Sequence, residues 1–139
     1  MAWARAAGAR ISPFVTALEV MSWLDTDRPF IESYQDPPKT LEELQQRASE
    51  GRQSGYNIHH IVEQTSAEED GGFSRNQIDA PENLVRIPTL KHWEITGWYM
   101  RPNRDFDGLS PREWLRDKDW DMRRQVGLDA LRRFGVLKP

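Results

Sequence analysis

The chain has 139 residues, of which 37% are hydrophobic and 29% charged, and a formal net charge of −3 at pH 7. That is the size of one domain with a modest core and the balance of a folded polypeptide rather than a disordered one. Cysteine is absent, which excludes disulfides, thiol catalysis and cysteine-ligated zinc, and no run is long and apolar enough to span a membrane. The charge is unevenly spread. Residues 30–83 hold four basic and eleven acidic side chains, whereas 101–139 hold ten basic and seven acidic ones, so a basic face is compatible with the acidic total.

Near the start, Arg5 and Arg10 precede Ser12 and Pro13, which interrupt any apolar run, so a cleavable secretory leader is not expected. Residues 13–24 read as a helix. Ser12 can cap it, Pro13 suits its first position, and Phe14, Ala17, Leu18, Met21 and Leu24 recur at helical spacing. Residues 25–38, with Pro29, Pro37 and Pro38, read as a linker. Thr40-Leu41-Glu42-Glu43 is a capping box opening a second helix to Glu50, where Gly51 can stop it.

Asn57 to Gln64 reads as a strand carrying Ile58, Ile61 and Val62. A polar loop from Thr65 to Glu82 follows, with acidic Glu68-Glu69-Asp70 and Gly71-Gly72 inside it, and a loop of that length is more often functional than idle. Leu84 to Ile87 is a second strand, ended by Pro88. Thr89 can cap the next helix, which sets His92, Ile95 and Tyr99 near one face. In the tail, Ser110-Pro111-Arg112-Glu113 opens one helix, and Asp119 or Asp121 opens a last one through Phe134, with Gly135 as its stop. The order helix, helix, strand, loop, strand, helix, helix, helix is that of an α+β domain.

All three histidines fall in the middle of this order, His59 and His60 on the first strand and His92 on the helix after the second, with Asn83 between them. A neutral imidazole binds divalent metals and, near neutral pH, can accept a proton. Adjacent side chains on a strand point to opposite faces, so the pair invites a division of labour, one ring on a metal and the other towards a water. An asparagine amide can bond backbone groups at both ends and hold the histidine strand in register. Asn83, Glu63 and Asp79 each remain open as a further ligand.

Tyr56-Asn57-Ile58-His59-His60-Ile61-Val62, then Asn83-Leu84-Val85-Arg86-Ile87-Pro88, then His92, resembles the HNH (ββα-metal) nuclease superfamily, and within it the toxin modules at the C-termini of bacterial polymorphic and secretion-system effectors. The resemblance implies one nuclease domain over residues 1–139, with an N-terminal helical segment 1–54, a ββα-metal core 55–100 and a C-terminal helical extension 101–139. It implies His59 and His92 as metal ligands, His60 as the general base and Asn83 as the central asparagine of a catalytic set that cuts phosphodiester bonds of DNA, with RNA also open. Colicin-type members carry a further histidine one turn beyond the helix ligand, where this chain has Thr96. Two histidines leave positions for water and phosphate, which favours Mg²⁺, with Mn²⁺, Zn²⁺ or Ni²⁺ as alternatives. The resemblance further implies a bacterial protein delivered without a cleavable leader into a recipient cytoplasm, and a cognate immunity protein as partner.

Each of these residues also has an ordinary use. Arg86, Lys91 and Arg101 are candidates to hold substrate phosphates, yet each taken singly is more often a solvated charge. Trp93, Trp98 and Tyr99 can stack on bases, but core packing is the commoner fate of such rings. Two rival readings use the same residues: a ββα module that binds nucleic acid or protein without cutting, and a nuclease of phage or mobile-element processing.

Overall fold

The computed structural model describes residues 13–66 and 72–139. Within them, helix α1 (Pro13–Tyr34) and helix α2 (Leu41–Ser49) precede strand β1 (Tyr56–His60). A short helix α3 (Arg75–Ile78) and a 3-10 turn lead into strand β2 (Leu84–Pro88), which runs straight into helix α4 (Thr89–Met100). Helix α5 (Pro111–Trp114) and helix α6 (Trp120–Arg133) complete an α+β arrangement. Ser12 as a cap and the acidic Glu68-Glu69-Asp70 run lie outside the described residues, as do the side chains of Phe14 and Leu24.

The first difference from expectation is at Pro29. The linker expected over 25–38 is helical as far as Tyr34, and Pro29 sits inside α1. A proline removes one amide from the helical ladder and crowds the preceding turn. Packing offsets this: the buried Ser33 hydroxyl donates to Gly55 O at 2.8 Å. Gly55 is at φ +87°, and a Cβ there would lie 2.3 Å from Pro29 O, so backbone meets backbone at this crossing. The other half of α1 is different, with Ala17, Leu18, Val20 and Met21 all exposed, so the apolar spacing there does not mark a core face.

Helix α2 starts as its sequence says, with the Thr40 side chain accepting from the Glu43 amide and Glu43 returning to the Thr40 amide, and Gly51 follows at φ +93°. The strands pair antiparallel in the register Tyr56↔Pro88, Ile58↔Arg86, His59↔Val85 and His60↔Leu84. β1 is shorter than expected and ends at His60. The Ile61 amide still donates to Asn83 O at 2.9 Å, but the next amide, Val62, is taken by the Asn83 side chain, so a side chain replaces the ladder. Thr89 does not cap α4. Its hydroxyl donates to Asn57 Oδ1 at 2.7 Å and its amide to Gly55 O at 2.9 Å, which clamps the start of α4 to the open end of the hairpin.

α2 packs on β2, and α4 on both strands and on α1. The apolar core gathers Leu44, Ile61, Val85, Ile87, Ile95, Tyr99, Leu115, Ala130 and Leu131, with Val136 and Leu137 from the C-terminal segment. That segment returns to the beginning of α2: Lys39 N donates to Val136 O at 3.0 Å and Lys138 N to Lys39 O at 2.9 Å. α6 is capped by Asp119 and followed by Gly135 at φ +73°. It crosses the chain just after β1 at Gly127, where a Cβ would stand 2.1 Å from Ile61 O. The last helix is therefore packed directly against the segment that leaves the histidine strand.

Candidate active site

β1 delivers two histidines and α4 a third to one cleft of about 230 Å³, lined by His59, His60, Glu63, Gln64, Thr65, His92, Thr96, Tyr99 and Arg112. His59 and His60 point their rings to different partners, as strand alternation requires. His59 is 5% exposed, and its Nδ1 lies 2.9 Å from Nδ1 of His92. His60 Nε2 lies 2.9 Å from Asp79 Oδ1.

The His59–His92 contact admits two chemistries. In one, a ring donates N–H to the other's lone pair. In the other, both lone pairs meet a single cation. Two nitrogens each held at about 2.0–2.1 Å from one divalent ion stand about 2.9 Å apart when their bonds meet near a right angle, and the observed 2.9 Å matches that span. Protonation does not compete, because burial, and then the neighbouring His92 and His60, push His59 down to about 3. Burial, with His60 adding to it, also holds His92 below the ordinary imidazole range. Both rings are therefore neutral at physiological pH, the form that binds metal. His59 Nε2 is buried without a hydrogen-bond partner, so the polar contact made by this ring runs through Nδ1.

The side chains that could add a third ligand are otherwise engaged. Arg112 holds Glu63 through two bonds, Nη2 to Oε2 at 2.6 Å and Nε to Oε1 at 3.1 Å. Asp79 is bonded to His60 and to Arg75, and the His60 contact first, with Arg75 assisting, holds its carboxyl below the usual carboxylate range. Among the described residues, no three or more His, Asp or Glu side chains gather as a metal site. The donor set present fits an ion that accepts two imidazoles and takes its remaining ligands from water or substrate oxygen.

Asn83 does not face the cleft. It is 1% exposed and wholly occupied by backbone: Oδ1 accepts from Val62 N at 2.8 Å, and Nδ2 donates to Val62 O at 3.1 Å and Ile78 O at 2.8 Å. It clasps the segment leaving β1 to the end of α3. Its contacts, all to backbone, are those of a residue that orients a segment, and it is not among the residues lining the cleft.

The three arginine and lysine candidates for phosphate binding lie elsewhere. Arg86 is 8% exposed and pairs across the sheet with Ile58, its guanidinium donating to Gly51 O at 3.0 Å and lying over the Tyr56 ring. Lys91 sits over the Tyr34 ring, 4.2 Å from its centre. Arg101 folds back on its own helix, Nε to Gly97 O at 3.0 Å. The cation that does line the cleft is Arg112, from α5, which sequence reasoning placed only in a cap motif. Behind it, buried Arg123 of α6 donates to Ser66 Oγ at 2.7 Å and to the Lys118 and Arg116 carbonyls, so it fastens the segment after β1 to the C-terminal helices. Of the aromatic candidates, Tyr99 is core and Trp98 packs on Tyr99 and Phe106, while Trp93 is 60% exposed.

No family model, curated protein or solved structure matches the chain.

Proposed function

We propose that this chain is a metal-dependent nuclease that hydrolyses phosphodiester bonds of DNA. The observation that carries the reading is the approach of His59 and His92 to 2.9 Å in a cleft that also takes His60. A strand histidine and a helix histidine, far apart in sequence and both held neutral, supply paired ligands. A third histidine beside them, with a carboxylate behind its ring, supplies a base.

In this reading His59 and His92 hold one divalent ion, Mg²⁺ by preference, which neutralises charge on the phosphate and on the departing oxygen. His60 accepts the proton of a water as that water attacks the phosphorus in line. Asn83 contributes by fixing the segment that follows β1, so that Glu63, Gln64 and Thr65 form one wall of the cleft. Arg112 supplies positive charge on the same wall, tempered by Glu63. These residues approach the backbone of the substrate, which suits cutting with little regard to base sequence. Delivery as a bacterial effector, and an immunity protein that covers this cleft, belong to the same proposal and rest on the sequence resemblance.

The test is incubation of the purified chain with supercoiled plasmid and with RNA, in Mg²⁺, Mn²⁺, Zn²⁺ or chelator. The expected result is nicking of DNA that needs metal and stops with chelator. A chain inert with every metal, or cleavage indifferent to chelator, would overturn the proposal. The first outcome would leave His59–His92 as an N–H···N bond in a binding module.

A further inference from the structure

His60 has a partner that its place on the strand does not announce. Asp79 follows α3, a helix capped by Ser74, and its Oδ1 stands 2.9 Å from His60 Nε2. Both carboxylate oxygens are held. Arg75 Nε donates to Oδ2 at 2.9 Å and Nη2 reaches Oδ1 at 3.3 Å, while the same Nη2 donates to Gln64 Oε1 at 2.6 Å. The Asp79 amide is bonded to Arg75 O at 2.9 Å, so the residue is fixed in backbone and side chain alike. Asp79 is not among the residues that line the cleft, whereas His60 is.

We propose that Asp79 is a positioning residue that locks His60 in the tautomer protonated at Nε2, which assigns Nδ1 as the nitrogen that receives a proton from water. An ionised carboxylate can only accept a hydrogen bond, so a ring nitrogen 2.9 Å from it must carry hydrogen. A neutral imidazole then has its lone pair on the other nitrogen. Without the carboxylate, both tautomers and both orientations of the ring are open, since the terminal ring torsion is broad and two-fold. Arg75 prevents the carboxylate from swinging away. The use of Nδ1 as a base rests on the nuclease reading; the tautomer does not.

Long-range ¹H–¹⁵N spectra of the imidazole rings test the lock directly, at neutral pH and without substrate. The expected result is a His60 ring with hydrogen on Nε2 and a bare Nδ1. Asp79→Asn sharpens the test. Arg75 makes its shorter bond, 2.9 Å, to Oδ2 and its longer one, 3.3 Å, to Oδ1, so the amide of D79N is expected to set its oxygen in the Oδ2 place towards Arg75 Nε and its NH₂ towards His60. His60 then becomes an acceptor at Nε2 and carries its hydrogen on Nδ1. D79N is expected to reverse the tautomer and to lower kcat for nicking on the order of 100-fold or more, with KM and metal affinity unchanged. Asp79→Ala is expected to give mixed tautomers and a smaller loss. A wild-type His60 protonated at Nδ1 would overturn the proposal, whatever the variants do, and so would D79N cutting at the wild-type rate. An inert chain with the Nε2–H tautomer would instead count against the nuclease reading and leave the lock standing.

Discussion

Replacing Asn83 is the perturbation that says most about how the site is held. The side chain makes three hydrogen bonds to backbone at 2.8, 3.1 and 2.8 Å and is 1% exposed, so water has no easy way to replace them. In Asn83→Ala the Val62 amide is left as a buried donor, which costs about 1–3 kcal/mol, and two carbonyls lose a donor at a smaller cost each. The total is about 2–5 kcal/mol, a sizeable part of the roughly 5–15 kcal/mol that holds an ordinary domain together. Asn83→Asp is nearly isosteric and keeps the acceptor for Val62, but sets a second oxygen against the Val62 and Ile78 carbonyls. It should lose as much at pH 7. The pH dependence of that loss has a definite sign. The carboxyl introduced by Asn83→Asp is buried and faces two carbonyls, so its folded pKa is raised. The variant therefore keeps its stability below the unfolded pKa of the new carboxyl and loses it as pH rises through the folded one. Urea unfolding of both variants between pH 4 and pH 8 checks this. A loss under about 1 kcal/mol for the alanine variant, or an aspartate variant as stable at pH 8 as at pH 4, would refute the clasp.

Three further outcomes follow from the geometry. Gly127→Ala ought to stabilise a helix interior by about 1 kcal/mol, but the added Cβ would meet Ile61 O at 2.1 Å, so thermal melting should show destabilisation of about 2–4 kcal/mol instead. His59, pushed down to about 3 in the fold, binds its proton only in the unfolded chain between that value and 6.5. Stability from this group is thus complete above about pH 6.5 and falls towards pH 3, by at most about 5 kcal/mol, and His59→Asn should flatten that limb of the melting profile. Equal slopes in the two proteins would contradict the burial assigned to the ring. Arg123→Met removes three bonds that tie Ser66 and the α5–α6 connection together; hydrogen exchange should accelerate in residues 61–66 more than in β2, and uniform change would argue against a staple.

Local chemistry was legible where it decides the structure by itself. The Thr40 box, Gly51, the Ser110 and Asp119 caps and Gly135 all stand where the residues place them. So do the antiparallel strands and the helix that carries His92. What could not be read depends on partners distant in sequence. Pro29 signals a break, yet the crossing with Gly55 keeps α1 helical. Gln64 looks like strand, yet the Asn83 amide ends the ladder two residues after His60. Arg86 and Lys91 lie close to the histidines in sequence, but Arg86 is held by Gly51 O and the Tyr56 ring and Lys91 by the Tyr34 ring, away from the cleft. Arg112 and Arg123 lie some fifty residues on from Glu63 and Ser66 and reach them only because α5 and α6 pack against the segment that follows β1. Asp79 was visible as a carboxylate near the site; that it serves His60 rather than a metal depends on the helix ending at Ile78.

The central claim is that His59 and His92 hold an ion while His60 takes the proton, and one variant separates the two tasks. His60→Ala, titrated with Mn²⁺ by calorimetry and assayed on plasmid in the same buffer, should bind one ion with near wild-type affinity and leave the plasmid supercoiled. Nicking at the wild-type rate, or loss of metal binding together with cleavage, would contradict that division of labour.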